Sequence, residues 1–369
     1  GQRLLEVLPL DLEPIVFETD GLWVVLSEKI RQEIEQARMH FMGGIHALEH
    51  AMIGLMPLLV LADRNDLGGI AHPLHPQLEA PAVFVYDGIP GGAGLSTKAY
   101  SRADVLFEQT LQAVRSCPCD VGCPACVHSP KCGAGNRPLD KQAAVCILQG
   151  ILGQRMETEQ VGPRSLPAKG QAVAEDREEQ DMAPACRFAV LDVETQRSAQ
   201  EVGGWDQAQA MGVSCAVVYD SHLDDYQRYT EKDVPALIDH LQEVDLIIGF
   251  NIRRFDFQVL SGYTSQPLQR LPTLDLLLSI QSRLGYRVSL DHLVSATLGV
   301  HKSGNGLQAV AWWKEGKVDR ILDYCQEDVA LTLGLYLHGR DSGYVLFRNK
   351  AKKLVQLSVD WSQPCKGQS

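Results

Sequence analysis

The chain is short of positive charge. Its 34 lysines and arginines face 46 aspartates and glutamates, a formal net charge of −12 over 369 residues. This excludes a protein that holds an anionic polymer through a broad basic surface, though not one that uses local basic patches. One such patch is Arg348-Asn-Lys-Ala-Lys-Lys353. Long apolar runs are also lacking. The longest, Ala51 to Ala62, is interrupted by Gly54 and Pro57 and falls short of the ~18 residues that span a bilayer. No basic region followed by an apolar block stands near the start, where Glu6 and Asp11 occur instead, so a cytosolic protein without membrane contact is expected. A strand-like Pro81-Ala-Val-Phe-Val-Tyr-Asp87 leads into the glycine-rich Gly88 to Ser96. This loop has neither the Gly-Lys-Ser/Thr of a phosphate cradle nor the GxGxxG spacing, which leaves a tight backbone turn as its reading. No Walker A and no DEAH-type motif occurs anywhere, so this chain carries no ATP-driven motor of its own.

Cysteine, by contrast, is plentiful and unevenly spread. Five of the ten lie between Cys117 and Cys132, while Cys146, Cys186, Cys215 and Cys325 sit in apolar or helical surroundings like small core residues. Without an export signal, the cluster reads as metal binding, not as a disulfide framework. Cys117-Pro-Cys119-Asp-Val-Gly-Cys123-Pro-Ala-Cys126 supplies four thiolates, with Gly122 and Pro124 suited to the tight turns between them. A closed tetrahedral zinc site needs four such ligands and implies a structural role. Cys117, Cys119, Cys123 and Cys126 are the expected set, with Cys132 competing for the fourth place. A second feature is His46-Ala-Leu-Glu49-His50, the HxxEH spacing of one group of zinc peptidases. That chemistry needs a further acidic ligand downstream, and none stands out, so a polar helix start is the expectation.

With 45% hydrophobic and 22% charged residues, the composition supports two or three cores. Three segments are expected: a domain over 1–153, an acidic flexible linker over 154–185 containing Glu175-Asp-Arg-Glu-Glu-Gln-Asp181, and a second domain over 186–369. In the first, Asp20-Gly21 predicts a hairpin turn inside the alternating stretch Ile15 to Leu26. Ser27 predicts the N-cap of a helix to about Phe41, and a second helix runs from about Ile45 to Leu61, kinked at Pro57. Residues 62–80 read as a loop, and long helices are expected from Ser96 to Ser116 and from Leu139 to Leu152.

The second domain carries carboxylates in a telling order. Phe188-Ala-Val-Leu-Asp192-Val-Glu194 is an apolar strand ending in acids at i and i+2, which share one strand face. Asp245-Leu-Ile-Ile-Gly-Phe-Asn251-Ile-Arg-Arg-Phe255-Asp256 is a buried strand that turns into a helix. Tyr324-Cys-Gln-Glu-Asp328 places a phenol and a carboxylate on one helix face. Converging carboxylates repel one another unless cations lie between them, and oxygen-seeking Mg²⁺ or Mn²⁺ suits such a set. Asp275 and Asp291 are read as structural.

DxE, Nx₃FD and Yx₃D in this order resemble the DEDD exonucleases of the ribonuclease H-like fold, tyrosine subclass, across the last half of the chain. The resemblance implies that Asp192, Glu194, Asp256 and Asp328 bind two Mg²⁺ or Mn²⁺ ions, with Asp192 bridging both. It further implies that Tyr324 orients the attacking water and that nucleotides are released in the 3′→5′ direction. Asn251, Arg253, Trp205, His301 and Lys302 are the accompanying candidates for contact with nucleic acid. The first domain has its own resemblance. His46-Ala-Leu-Glu-His-Ala-Met, the strand and glycine loop, the cysteine cluster and Pro138-Leu-Asp-Lys-Gln-Ala-Ala look like the zinc-binding C-terminal domain of superfamily 2 helicases of the mitomycin repair factor A type, over about residues 10–153. This implies a structural Zn²⁺ and helicase motor lobes in cis in a longer bacterial cytosolic protein. The expected fold class is α/β in two domains: an α+β zinc-binding domain, then a ribonuclease H-like α/β exonuclease domain with a mixed sheet. The expected function is metal-dependent 3′→5′ exonucleolysis in DNA repair, with single-stranded DNA as substrate. The alternatives are an RNA exonuclease and a non-catalytic DNA-binding scaffold.

Overall fold

The computed structural model describes residues 16–156, 158, 186–302 and 306–362. They form two compact units, one from the described residues up to Ile34 and from Phe41 to 156, the other from 35–40 and the described residues from 158 onward.

In the first unit, β1 (Gly21–Val25) leads into α1 (Glu28–Gln36), where the Ser27 hydroxyl accepts the Ile30 N–H at 3.4 Å. The central element is α2 (Phe41–Val60), apolar almost all round and buried along most of its length, as the core helix of a domain is. It runs through Pro57 without a break. β2 (Leu67–His75) and β3 (Ala80–Asp87) follow, and the three strands form an antiparallel sheet in the order β1-β3-β2. After them come α3 (Leu95–Tyr100), α4 (Ala103–Ser116) and α5 (Lys141–Ile151), the last capped by the Asp140 carboxylate on the Ala143 N–H. A Cβ at Gly44 would lie 2.7 Å from that of Ala143, so only glycine lets α2 and α5 approach this closely.

Several expectations are corrected here. Asp20-Gly21 is no hairpin turn: β1 pairs with the distant β3, Gly21 opposite Tyr86. The segment read as a loop over 62–80 contains β2, which pairs with β3 from Leu67 opposite Asp87 onward. The expected helix from Ser96 to Ser116 is two helices, broken after Tyr100. The glycine loop after β3 wraps the protein's own carboxylate. Asp87 accepts N–H groups from Ala93, Leu95 and Ser96 at 2.8–3.0 Å and the Ser96 hydroxyl at 2.6 Å. Burial would raise this carboxyl, but the hydrogen bonds outweigh it and hold Asp87 below the usual range.

The second unit is built on a mixed five-stranded sheet. β4 (Phe188–Thr195) pairs antiparallel with β5 (Val213–Asp220), which pairs antiparallel with β6 (Asp225–Thr230). α6 (Val234–Glu243) then crosses to β7 (Leu246–Gly249), parallel to β4; α7 (Asp256–Leu260) and β8 (Thr273–Asp275) follow. The spatial order is β6-β5-β4-β7-β8, with β4 at the centre. Next come α8 (Leu276–Leu284), α9 (Leu290–Thr297), α10 (Gly306–Lys314) and α11 (Val318–Ser342), then a hairpin of β9 (Tyr344–Arg348) and β10 (Leu354–Ser358). The mixed sheet agrees with the expected fold class.

Alternation along β4 divides the core. Ala189, Leu191 and Val193 face α6 and α7, while Val190 faces α8, α9 and α11. By the same period of two, Asp192 and Glu194 face the α11 side. Cys186, expected as a core thiol, is half-buried and disulfide-bonded. Most of the expected linker, 154–185, lies outside the described residues, as does the chain beyond 362.

Candidate metal centres

The carboxylates meet where β4 passes under α11. Oxygens of Asp192, Glu194 and Asp328 all lie within 4.8 Å of one another. Glu194 and Asp328 are buried, at 8% and 3% exposure. Burial, and after it repulsion from neighbouring carboxylates, raises Glu194 well above the usual range and lifts Asp328 to about 7. Asp256 opens α7 at 3% exposure, and its Oδ1 accepts the Val193 N–H at 2.9 Å. It stands beside the three-oxygen group, not within it, and burial together with the charge of Asp192 raises its carboxyl.

One cation already reaches these acids. The Lys302 ammonium lies 2.6 Å from Asp328 Oδ2 and 5.0 Å from the centre of the Tyr324 ring. Its nitrogen stands in for a bound metal ion, supplying positive charge among oxygens that need it. The fit to further cations rests on what is left over. The Tyr324 hydroxyl and Asp328 Oδ1 are shut off from solvent and make no hydrogen bond of ordinary geometry among the described residues, although they are close enough to influence each other's charge. A buried carboxylate oxygen without a partner is costly unless an ion or water completes it. The Cys325 thiol contributes 3.4 Å from Asp192 Oδ2, a contact hidden in the x of the Yx₃D spacing. Trp312 packs edge-on against Tyr324, with ring centres 5.9 Å apart, and no sequence signal marked it.

The accompanying candidates are distributed differently. Asn251 adopts φ +70°, and its Oδ1 accepts Arg287 Nη2 at 2.9 Å. Arg253 directs its guanidinium onto the carbonyls of Gln269 and Thr273, so it braces the β7–α7 turn in this structure. Trp205 is 72% exposed, its ring edge toward Phe255. His301 lies 3.6 Å from Asp291. Lys302, expected at the nucleic-acid surface, points inward instead. Asp275 is structural: it caps α8 and accepts the Asn251 and Arg253 N–H groups.

The cysteines of the first unit converge independently. The sulfurs of Cys117, Cys119, Cys123 and Cys126 lie within 4.8 Å of one another. Four of the pairs measure 3.6, 3.5, 3.5 and 3.8 Å. Zn–S bonds of ~2.3 Å at tetrahedral angles separate sulfurs by about 3.8 Å, so the set fits a closed zinc site. Lys141, at the start of α5, donates to the carbonyls of Cys117 and Cys119 at 2.7 and 2.5 Å and ties this loop to the helix. Cys132 does not join the four. Its sulfur lies 3.3 Å from His46 Nε2 instead.

Comparison with known proteins follows the same division. Residues 48–127 match the model of the MrfA Zn-binding domain, and residues 190–338 match that of the RNase H superfamily. The uncharacterized protein MJ1572.1 of Methanocaldococcus jannaschii is 35% identical over 111 residues, a match covering 29% of this chain and 99% of the relative. ATP-dependent helicase HRQ1 of Saccharomyces cerevisiae is 26% identical over 162 residues, covering 41% of this chain. The uncharacterized ATP-dependent helicase YprA of Bacillus subtilis is 28% identical over 120 residues, or 32% of this chain. The chain spans only 15% and 16% of the length of these two helicases. A crystal structure of the DUF1998 helicase MrfA bound to DNA aligns with a TM-score of 0.29 and 25% identity, covering 39% of this chain and 18% of that one. The chain belongs to the family that carries the MrfA Zn-binding domain, here followed by a domain of the ribonuclease H superfamily.

Proposed function

We propose that the second unit is a metal-dependent 3′→5′ exonuclease acting on single-stranded DNA. The observation that carries this reading is the convergence of Asp192, Glu194 and Asp328, with the half-buried Lys302 ammonium against Asp328 and the Tyr324 hydroxyl left without a hydrogen bond of ordinary geometry beside them. Asp192, Glu194 and Asp328 would hold one Mg²⁺ or Mn²⁺, and Asp256 would share a second with Asp192. Such ions activate a water and stabilise the leaving oxygen of a phosphodiester. With a cation held there, Lys302 would be free to meet phosphate. Tyr324, fixed by Trp312 and held in its neutral form by burial, offers a hydroxyl that orients the water. Trp205 provides an exposed ring on which a terminal base stacks, a contact worth ~1–3 kcal/mol.

The wider reading is a two-domain arrangement, with a zinc-stabilised accessory domain over 1–153, a linker over 154–185 and the nuclease over 186–369, in a bacterial cytosolic repair protein. The resemblance to longer helicases supports motor lobes in cis and nucleic acid as the partner. The test uses 5′-labelled single-stranded DNA and RNA incubated with Mn²⁺ or Mg²⁺. A ladder shortening from the 3′ end of DNA, lost with EDTA and in Asp192→Ala and Asp328→Ala, is expected. Equal activity in both variants would falsify the assignment, and a ladder from RNA alone would replace the substrate.

A further inference from the structure

The HxxEH stretch and the fifth cysteine, unconnected in the sequence, meet in the first unit. His46 and His50 lie one turn apart on α2 and are buried at 8% and 3% exposure. Their rings stand 4.4 Å apart, centre to centre. Cys132 comes from the loop before α5, 86 residues beyond His46, and its Sγ lies 3.3 Å from His46 Nε2. One ligand atom from each of the three residues lies within 4.8 Å of the others.

The orientation of both imidazoles is fixed from behind. His46 Nδ1 is 2.9 Å from the Pro138 carbonyl, and His50 Nδ1 is 2.8 Å from the Val127 carbonyl. A carbonyl only accepts, so each Nδ1 carries the proton and each Nε2 presents its lone pair. This is how metal-binding histidines are held, with the non-ligating nitrogen donating to a backbone oxygen. The Cys132 sulfur accepts the Asn136 N–H at 3.3 Å, which holds it in place beside the two imidazoles. Bonds of ~2.0–2.1 Å to nitrogen and ~2.3 Å to sulfur at tetrahedral angles place N and S about 3.5 Å apart, close to the distance observed.

We propose that His46, His50 and Cys132 form a second zinc site, distinct from the four-cysteine cluster. Three protein ligands leave a fourth position for a water or a small exogenous ligand. A cavity of about 280 Å³, lined by the three ligands together with Glu49, Lys131 and Arg137, gives that position access. Glu49, the acid between the two histidines, is a cavity wall and not a ligand: it does not belong to the converging group. The site accounts for Cys132 as surplus to the first zinc, and it supplies the third ligand that the HxxEH spacing lacked, as a thiolate instead of an acid.

The test is zinc content of the full 369-residue chain, purified with Zn²⁺, freed of excess metal and measured by plasma mass spectrometry. Wild type is expected to retain one more zinc per chain than His50→Gln and Cys132→Ala, which keep the zinc of the four cysteines. Cys123→Ser with Cys126→Ser should lose the other ion. Because buried histidine variants can misfold, far-UV circular dichroism accompanies each, and Cys132→Ala is also loaded with Co²⁺. A wild-type minus Cys132→Ala spectrum with one sulfur-to-cobalt charge-transfer band, in folded protein, supports the site. Identical zinc content in wild type and Cys132→Ala, or a flat difference spectrum, overturns it and leaves a thiol–imidazole hydrogen bond.

Discussion

A single side chain, Lys302, sets a positive charge against Asp328 at the acidic centre. Removing it takes away a competitor for the same oxygens. Lys302→Met is therefore expected to tighten Mn²⁺ about 3- to 10-fold, or ~1 kcal/mol, measured by isothermal titration. Weaker binding in the variant would mean that Lys302 supports the ion and does not displace it. Tyr324 has a separate effect. Tyr324→Phe keeps the ring that packs on Trp312 and removes only the hydroxyl, so nucleotide release should fall about 10²-fold, at the low end of proton-handling groups, with Mn²⁺ affinity unchanged. The geometry was only partly legible beforehand. The shared faces of Asp192 with Glu194 and of Tyr324 with Asp328 followed from strand and helix periods, while their grouping as one site came from the resemblance to the DEDD exonucleases. The inward turn of Lys302 and the contact of Cys132 with His46 did not, since each depends on loops folding back over residues distant in the chain.

Among elements, the meeting of β4, β5 and α6 is pinned by a buried ionic group. Arg187 at the start of β4 contacts Asp220 at the end of β5 at 2.6 Å, and His240 of α6 contacts the same carboxylate at 2.8 Å. The Asp220 side chain is fully shut off from solvent. Burial alone would raise its carboxyl, but the Arg187 guanidinium and the further donors outweigh it and hold it well below the usual range. A carboxyl depressed on folding stabilises above its unfolded value of ~3.9, and that contribution disappears as pH falls from there toward the folded value. Asp220→Asn should cost about 2–4 kcal/mol at neutral pH, and its loss of stability on acidification should be shallower than wild type, read from urea midpoints across pH 2 to 7. Parallel acid profiles would remove Asp220 from the account. A second fixed point is Trp361 on α11. Trp361 is 1% exposed and packs on Gly339, where an added Cβ would clash with the indole ring. Gly339→Ala should destabilise by about 1–3 kcal/mol through overpacking, despite alanine's better helix propensity; an increase in melting temperature would refute the contact. Elements were legible where local pattern and long-range pairing agreed, as in β4 and β7. They were not where pairing overrode local signals. Asp63, Asn65, Asp66 and Gly68-Gly69 made the segment holding β2 read as a loop, and Asp20-Gly21 mimics a turn although β1 takes its partner from β3.

For the whole molecule, the four-cysteine loop lies between α4 and α5 and its sulfurs are set for one zinc, so stripping zinc should unfold that region, as structural zinc contributes directly to folding. The acidic stretch between 154 and 185 has almost no large apolar residues to protect it. A brief exposure to protease should therefore cut there first and leave two resistant fragments. Fragments ending elsewhere would redraw the domain boundaries. The ammonium lodged against Asp328 works in the other direction. On the proposed reading it would let the sheet and its carboxylates stand when magnesium and manganese are scarce, in the manner of a key left in a lock, and the protein would wait folded for the ion to return. Scarcity of zinc would be met differently, by loss of the fold around the four cysteines.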